Sequence, residues 1–314
     1  MSFKNDEVYN FFKYSSKLLT PLENYFIARS EFVLDNYPPI FIIGPPRSGT
    51  TVIYQSMINY FNLPYMNNLV EHFYRVPNIG VRISSIMGLY CRQVKYSSRH
   101  GKTEGLAGPH EIGNFWYQWF PIRQHYADEH TLSPNSRQQI RQVVNALTYY
   151  FSQSLLFKNV MHSVRIKALL TIFPNALFIV SKRDPLFVAQ SIYKIRSSLN
   201  DETNWWSVMP NEIDYLLNKP LIEQALYQVY YIEKQIRQDL YLREGTNFVE
   251  VKYENLEDDP VQEFENVHNL LTNNGISVQL HKQLITPIQV QNGIKIGKEE
   301  FEQLKWLTRE LFYE

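Results

Sequence analysis

The sequence predicts an α/β fold in which helices flank a central parallel sheet. Four short apolar segments have the length and composition of strands that are buried on both faces, and the stretches between them are long enough to hold helices. These segments span residues 40–43, 155–157, 177–180 and 248–251. Sheets of this kind bind ligands beyond the carboxyl ends of their strands, so the residues that follow each segment are the first place to look for a site.

The composition is that of a globular protein, and we expect residues 1–314 to form one domain, since α/β folds often exceed the usual domain size. Basic and acidic residues both number 31, so no net charge favours binding to nucleic acid. The only cysteine, Cys91, excludes an intrachain disulfide and a cysteine-rich metal site. The eight histidines show no metal-binding motif, so we expect no metal.

The amino terminus lacks the basic and then apolar order of a signal peptide, and no apolar stretch has the length of a membrane span. We therefore expect a cytoplasmic protein without an integral membrane segment. Residues 6–30 are predicted to form a helix or a helix pair that covers the sheet. The predicted apolar side of this helix consists of Val8, Phe11, Phe12, Leu18 and Leu19.

The first apolar segment leads into a tight loop, residues 44–51, and then into a helix predicted to begin near Val52. The loop has the G-x-x-x-x-G spacing of a Walker A loop, which predicts a sheet like that of the P-loop NTPases. The next residue is Thr50, where an ATP or GTP binder carries lysine, and Arg47 lies inside the loop. Backbone N–H groups of Ser48 to Thr51, the helix dipole and two hydroxyls can hold a tetrahedral anion without a metal.

The other three segments also end at residues suited to binding an anion. Lys158 follows the second segment, Arg183 the third and Tyr253 the fourth. Arg183 carries a permanent charge with a fork geometry that suits a phosphate, and Ser191 follows about two helical turns later. An arginine here can also pair with the adjacent Asp184, but its place at a strand end beside an anion loop favours a binding role.

The loop Pro46-Arg-Ser-Gly-Thr-Thr51 resembles the 5′-phosphosulfate loop of sulfotransferases, enzymes that use 3′-phosphoadenosine 5′-phosphosulfate (PAPS). Residues 158–191 are similar to the corresponding block of bacterial sulfotransferases and, more distantly, of tyrosylprotein sulfotransferases. Tyr253-Glu-Asn-Leu-Glu-Asp-Asp-Pro260 is similar to a later element of the same family. The resemblance covers residues 38–60 and 155–260 and is weak between 67 and 150.

The resemblance implies that the chain binds PAPS as co-substrate and releases PAP. It implies that the phosphosulfate is held by Arg47, Ser48, Gly49, Thr50 and Thr51. Arg183 and Ser191 would hold the 3′-phosphate, Lys158 would contact the sulfuryl group, and Tyr253 would lie near the adenine. A carboxyl-terminal segment resembles the family's closing loop only loosely, and either of its lysines, Lys295 or Lys298, can reach the phosphates or remain solvated.

Residues 67–150 are expected to bind the acceptor, because the cofactor motifs flank them. Transfer to an alcohol needs a base, and the candidates are Glu71, His110 and Glu111, with His72 behind them. Gly108-Pro-His-Glu111 resembles an element of some bacterial members, while Glu71 lies near the place of the base in tyrosylprotein sulfotransferases. Each of these side chains can instead be a locally paired or buried structural residue. Two aromatic groups have other predicted roles: Phe115, Trp116 and Trp119 in the core, and Trp205 and Trp206 in a lid.

We therefore expect a sulfotransferase that moves the sulfuryl group of PAPS to a hydroxyl, or else an amine, of a small molecule. Its catalytic cations would be Arg47 and Lys158. An atypical P-loop kinase would need a lysine in the loop and a carboxylate that holds Mg²⁺. A non-catalytic protein that binds PAP or another nucleotide would keep the loop without the base.

Overall fold

The computed structural model describes residues 3–90, 93–96, 98–99, 102–199, 205–241 and 247–313, so Cys91 lies outside the described residues. The strands are β1 Ile40–Ile43, β2 Ser98–Arg99, β3 Lys102–Thr103, β4 Leu156–Lys158, β5 Leu177–Lys182 and β6 Phe248–Lys252. The α-helices are α1 Phe3–Arg29, α2 Thr50–Phe61, α3 Asn68–His72, α4 Pro77–Ile86, α5 Gly113–Trp116, α6 Pro134–Phe151, α7 Ile166–Ile172, α8 Pro185–Ser197, α9 Ile213–Leu216, α10 Leu221–Tyr241, α11 Asn255–Asp258, α12 Pro260–Asn273 and α13 Lys298–Phe312. Two 3₁₀ helices span Val160–Val164 and Lys282–Leu284.

The central sheet has four parallel strands in the order β4-β1-β5-β6, which confirms the predicted fold class and all four strand predictions within two residues. Ile40 lies opposite Leu156 on one side and Leu177 on the other, and Phe178 lies opposite Phe248. The carboxyl ends of the strands therefore meet at one edge of the sheet. Strands β2 and β3 form a small antiparallel pair that the sequence analysis did not predict.

Strands β1, β4 and β5 are buried on both faces because they are mostly apolar, whereas β6, which carries Glu250, is only partly buried. Phe41 and Ile43 belong to a core cluster packed with α6, α7 and α10, while Ile40 and Ile42 belong to a second cluster packed with α2 and α12. The Phe41 ring stacks between the rings of Phe157 and Phe178, with centroids 5.5 and 5.7 Å away. Successive side chains of a strand point to opposite faces, and here each face has its own helical layer.

Helix α1 is a single helix that lies against α4 and α6, so the prediction that it covers the sheet was wrong. The two faces of the sheet are already covered by the other helices. Leu19 packs against the buried cluster around Phe73, but Leu18 is 84% exposed. The side chains of Val8, Phe11 and Phe12 lie outside the described residues. Among the described helices, none is long and apolar enough to cross a membrane.

The aromatic run before α6 has the predicted core position. Phe115 and Trp116 are fully buried against the first core cluster, and Trp119 packs on it while its indole N–H donates to Gln139 at 3.1 Å. Their packing fixes the short helix α5, which directly follows residues 108–112, the segment that carries His110 and Glu111. This part of the core therefore anchors one wall of the site.

Buried His125 connects two distant parts of the chain, Met209 and the segment after β4 that carries Arg165. Nδ1 of His125 accepts a hydrogen bond from the Met209 N–H at 2.8 Å, and Nε of Arg165 donates to the His125 carbonyl at 3.1 Å. The Arg165 guanidinium lies over the Phe120 ring at 4.6 Å. Burial, aided by the charge of Arg165, lowers the pKa of His125 to about 4. His125 is therefore neutral in the folded protein at ordinary pH.

Candidate active site

The anion loop, residues 44–51, is held in place by two buried serines, one in the 3₁₀ helix after β4 and one in β5. Ser163 Oγ accepts from the Gly44 N–H and donates to the Gly44 carbonyl, both at 2.9 Å, and Ser181 Oγ donates to the Ser48 carbonyl at 2.7 Å. A Cβ at Gly44, whose φ is +150°, would lie 2.8 Å from the Ser181 carbonyl oxygen. Only glycine fits this close approach of the loop to β5.

Helix α2 begins at Thr50, two residues earlier than predicted, and points its free N–H groups at the loop mouth. The first bond within the helix runs from the Ile53 N–H to the Gly49 carbonyl, and no side chain caps this end. The N–H groups of Thr50, Thr51 and Val52 therefore have no acceptor inside the helix. Together with the helix dipole they form a site for an anion.

Ser48 makes a hydrogen bond inside the loop. Its N–H donates to the Pro45 carbonyl at 3.2 Å, and its hydroxyl is buried 2.7 Å from where a Cβ on Gly44 would stand. Gly49, Thr50 and Thr51 do line the cavity. The N–H groups without an acceptor in the helix are therefore those of Thr50 to Val52, and the binding role of Ser48 stays a prediction.

Three cations meet beside this helix end. Arg47 has a left-handed backbone with φ of +74°, and its Nε donates to Ser191 Oγ at 2.9 Å. Nη1 of Arg183 donates to the Arg47 carbonyl at 2.9 Å, and Lys295 lines the same cavity. Partial burial, and then the charges of Arg183, Lys194 and Arg47, lower the pKa of Lys295. Positive charges held close enough to lower one another's pKa are suited to a multiply charged anion.

The guanidinium of Arg183 is in contact with the carboxyl-terminal loop. Asn292 Oδ1 accepts from Nε at 3.0 Å and from Nη2 at 2.9 Å, and the Gln291 carbonyl accepts from Nη2 at 2.7 Å. The amide oxygen of Asn292 thus lies on the edge of the fork that a phosphate would use. The sequence analysis did not identify Asn292, because the two residues are 109 positions apart.

The Tyr253 ring packs against both the anion loop and Arg183. Its Cδ2 lies 2.5 Å from where a Cβ on Gly49 would stand, and its ring lies 4.6 Å below the Arg183 guanidinium carbon. Gly49 has φ of +101°, so a side chain there would meet both backbone strain and the tyrosine ring. Tyr253 lines the cavity, with its ring between the loop and the cation.

The opposite wall carries Lys158 and Glu111. Lys158 ends β4 and is only 3% exposed, and its Nζ forms an ion pair with Glu111 Oε1. Asn159 Nδ2 donates to the Glu111 carbonyl at 3.3 Å, while its Oδ1 accepts from the Met161 N–H at 3.0 Å. Strand β4 and the segment after it therefore hold an ammonium and a carboxylate together in the cavity.

Of the candidate bases, the structure brings only Glu111 into this cavity. Glu71 Oε1 accepts from Asn114 Nδ2 at 2.6 Å, and its Oε2 lies 3.5 Å from Nδ1 of His110. That same Nδ1 already accepts from the Ile112 N–H at 2.8 Å, so it carries no proton for Glu71. His72 is an exposed residue near the end of α3.

The cavity has a volume of about 350 Å³ and an apolar side formed by Val160, Met161, Phe187 and Trp206. Gln228 Nε2 donates to the Trp206 carbonyl at 3.1 Å, and the role of Trp206 in a lid stays a prediction. The Trp205 ring instead faces the Arg196 guanidinium at 4.5 Å. Lys298 is the first residue of α13 and does not line the cavity, whereas Lys295 does. The described part of the chain holds no group of three or more side chains suited to a metal.

The sequence matches a model of the sulfotransferase family over residues 38–273. The ω-hydroxy-β-dihydromenaquinone-9 sulfotransferases Stf3 of Mycobacterium bovis and Mycobacterium tuberculosis are each 24% identical to it over 251 residues. These matches cover 71% of this chain and 60% of each relative, so the chain spans less than two thirds of their length.

Two solved structures share the fold. Sulfotransferase STF1 from Mycobacterium tuberculosis aligns with a TM-score of 0.58 at 12% identity, over 96% of this chain and 81% of that one. Sulfotransferase STF9 from Mycobacterium avium aligns with a TM-score of 0.53 at 17% identity, over 90% and 79% of the two chains. Because the family model matches well over half of the sequence, and the sheet carries the expected anion loop, the chain belongs to the sulfotransferase family.

Proposed function

We propose that this enzyme transfers the sulfuryl group of PAPS to a hydroxyl of a small molecule and releases PAP. The observation that carries the proposal is that one cavity joins an anion site at the start of α2 to the Lys158 and Glu111 pair on the facing wall. A donor bound by its phosphates at the first would present its sulfuryl group to the second.

The residues fit a donor with two anionic groups. The free N–H groups of Thr50, Thr51 and Val52 suit the 5′-phosphosulfate. Arg183, with Lys295 and Ser191 nearby, suits the 3′-phosphate, because the fork of an arginine can bind two phosphate oxygens at once. Arg47 lies between the two places and bonds Ser191, so it can serve either group.

The transfer forms one S–O bond and breaks another. The acceptor oxygen attacks sulfur, the bond from sulfur to the bridging phosphate oxygen breaks, and that oxygen leaves with PAP. The Glu111 carboxylate takes the proton of the attacking hydroxyl, and Lys158 stabilises the charge on the sulfuryl oxygens as they move. Most of the acceleration comes from holding the two reactants in line.

The acceptor class is proposed from the relatives and from the cavity wall. The mycobacterial relatives are named for a quinone that carries a terminal hydroxyl. The apolar side of the present cavity, with Phe187 and Trp206, favours a hydroxyl borne on an apolar body. We therefore propose an alcohol or a phenol as acceptor and place an amine second.

The test is a single-turnover assay with ³⁵S-labelled PAPS and a panel of apolar alcohols and phenols. We expect label in the acceptor together with stoichiometric PAP. The Lys158→Met variant should bind PAP with nearly unchanged affinity and lose transfer. PAP binding with no transfer to any alcohol, phenol or amine would show a binding protein, and failure to bind PAP at all would overturn the donor assignment.

A further inference from the structure

The residue after Glu111 has an unusual backbone. Ile112 has φ of +42° and ψ of +50°, in the left-handed region that branched side chains avoid. Its side chain is 2% exposed and belongs to the first core cluster. Such a conformation persists only where the surroundings hold it in place, and it is typical of positions that aim a functional group.

One imidazole holds this turn. Nδ1 of His110 accepts from the Ile112 N–H at 2.8 Å, and the backbone N–H of His110 donates to the Met66 carbonyl at 2.8 Å. The ring therefore spans Glu111 from one side while its own backbone is fixed to the neighbouring segment. Glu71 Oε2 lies 3.5 Å from the same Nδ1.

The turn decides where Glu111 points. Glu111 lies between His110 and Ile112, which the imidazole hydrogen bond connects. The Glu111 carbonyl accepts from Asn159, and its carboxylate pairs with Lys158. We propose that His110 is a positioning residue: its unprotonated Nδ1 fixes the left-handed turn at Ile112 and thereby holds the Glu111 carboxylate against Lys158. The catalytic meaning of this role rests on the proposed function, in which Glu111 is the base.

Two substitutions separate this role from simple packing. His110→Asn has an amide oxygen, Oδ1, bonded to Cγ where histidine has Nδ1. This oxygen can accept from the Ile112 N–H, as an asparagine side chain does in a local turn. His110→Leu keeps apolar bulk and removes the acceptor. We expect His110→Leu to lower kcat about 10- to 100-fold, the usual effect of a misplaced catalytic group, with PAP affinity little changed and a modest fall in melting temperature because the Ile112 N–H loses its acceptor. His110→Asn should recover most of this loss.

The decisive experiment is the same comparison in a Glu111→Gln background. If His110 acts only through Glu111, His110→Leu should cost nothing further there, because the group that it positions is already removed. An additional loss of the same size, or equal losses in the asparagine and leucine variants, would overturn the proposal.

A second measurement does not need activity. The coupling between Lys158→Met and Glu111→Gln in urea unfolding reports whether the two side chains meet. It should be present with histidine or asparagine at position 110 and fall several-fold in the unfolding equilibrium constant with leucine. This result holds even if no sulfate transfer is found, so failure of the proposed function and failure of the positioning role are told apart. An unchanged coupling with leucine refutes the positioning role.

Discussion

Arg183 either binds the donor or holds the carboxyl-terminal loop in place by hydrogen bonds, and two substitutions distinguish these roles. In the structure it donates four hydrogen bonds, two of them to Asn292 Oδ1, one to the Gln291 carbonyl and one to the Arg47 carbonyl. A guanidinium has five N–H donors, so one donor on Nη1 is left over. A phosphate that binds bidentately at the edge formed by Nε and Nη2 must therefore displace Asn292.

Arg183→Ala should weaken PAP binding, whereas Asn292→Ala should leave it unchanged or strengthen it. Arg183→Ala removes a charged, bidentate contact worth about 2 to 4 kcal/mol, which is a rise in Kd of about 30- to 900-fold. Asn292→Ala removes the competing acceptor, whose two half-exposed hydrogen bonds are worth roughly 1 kcal/mol each before water replaces them. Its PAP affinity should be unchanged or up to about tenfold tighter.

Isothermal titration with PAP measures both variants without turnover, and thermal melting checks that each remains folded. An Arg183→Lys variant keeps the charge without the fork and should fall between wild type and Arg183→Ala. If Asn292→Ala weakens PAP as much as Arg183→Ala does, the arginine serves to hold the loop and its assignment as a phosphate ligand is wrong.

Three further outcomes are expected. Glu111→Gln should lower single-turnover transfer by about two to four orders of magnitude, whereas Glu71→Gln should stay within about threefold of wild type, and the reverse result would exchange their roles. A bound phosphate raises the lowered pKa of Lys295 again, so PAP should bind with full affinity below the pKa of the free protein and more weakly as pH rises through it. Titrations with PAP across alkaline pH should show this loss of affinity, and the Lys295→Met variant should not show it. The pKa of His125 is about 4 when folded and about 6.5 when unfolded, so the free energy of unfolding should fall by up to about 1.4 kcal/mol per pH unit as pH drops between those values, and urea melts should show a smaller slope for His125→Asn.

The sheet and the ends of its strands were predictable because their signals are local. Each strand is a short, mostly apolar run, and a lysine, an arginine or the anion loop lies at its end or directly after it. Parallel strands bring such ends together whatever lies between them. The places of Lys158 and Arg183 in one cavity follow from this rule alone.

The supports of the site could not be predicted because they depend on distant pairs. Ser163 is 119 residues from Gly44, and no local pattern marks a serine that binds loop backbone. The choice among three candidate bases also depended on tertiary structure, because the left-handed turn at Ile112 turns Glu111 into the cavity while Glu71 bonds Asn114. The family resemblance suggested these residues but not which of them meets Lys158.

The two serines that hydrogen-bond to the backbone of the anion loop lower the entropy cost of donor binding. Because Ser163 and Ser181 fix the loop backbone before any ligand arrives, little conformational entropy remains to be lost there on association. What ordering does accompany binding then falls on long side chains such as Lys295. The affinity of the phosphosulfate end should accordingly be sensitive to a mutation at Ser163, which is not a lining residue of the cavity and binds the loop backbone.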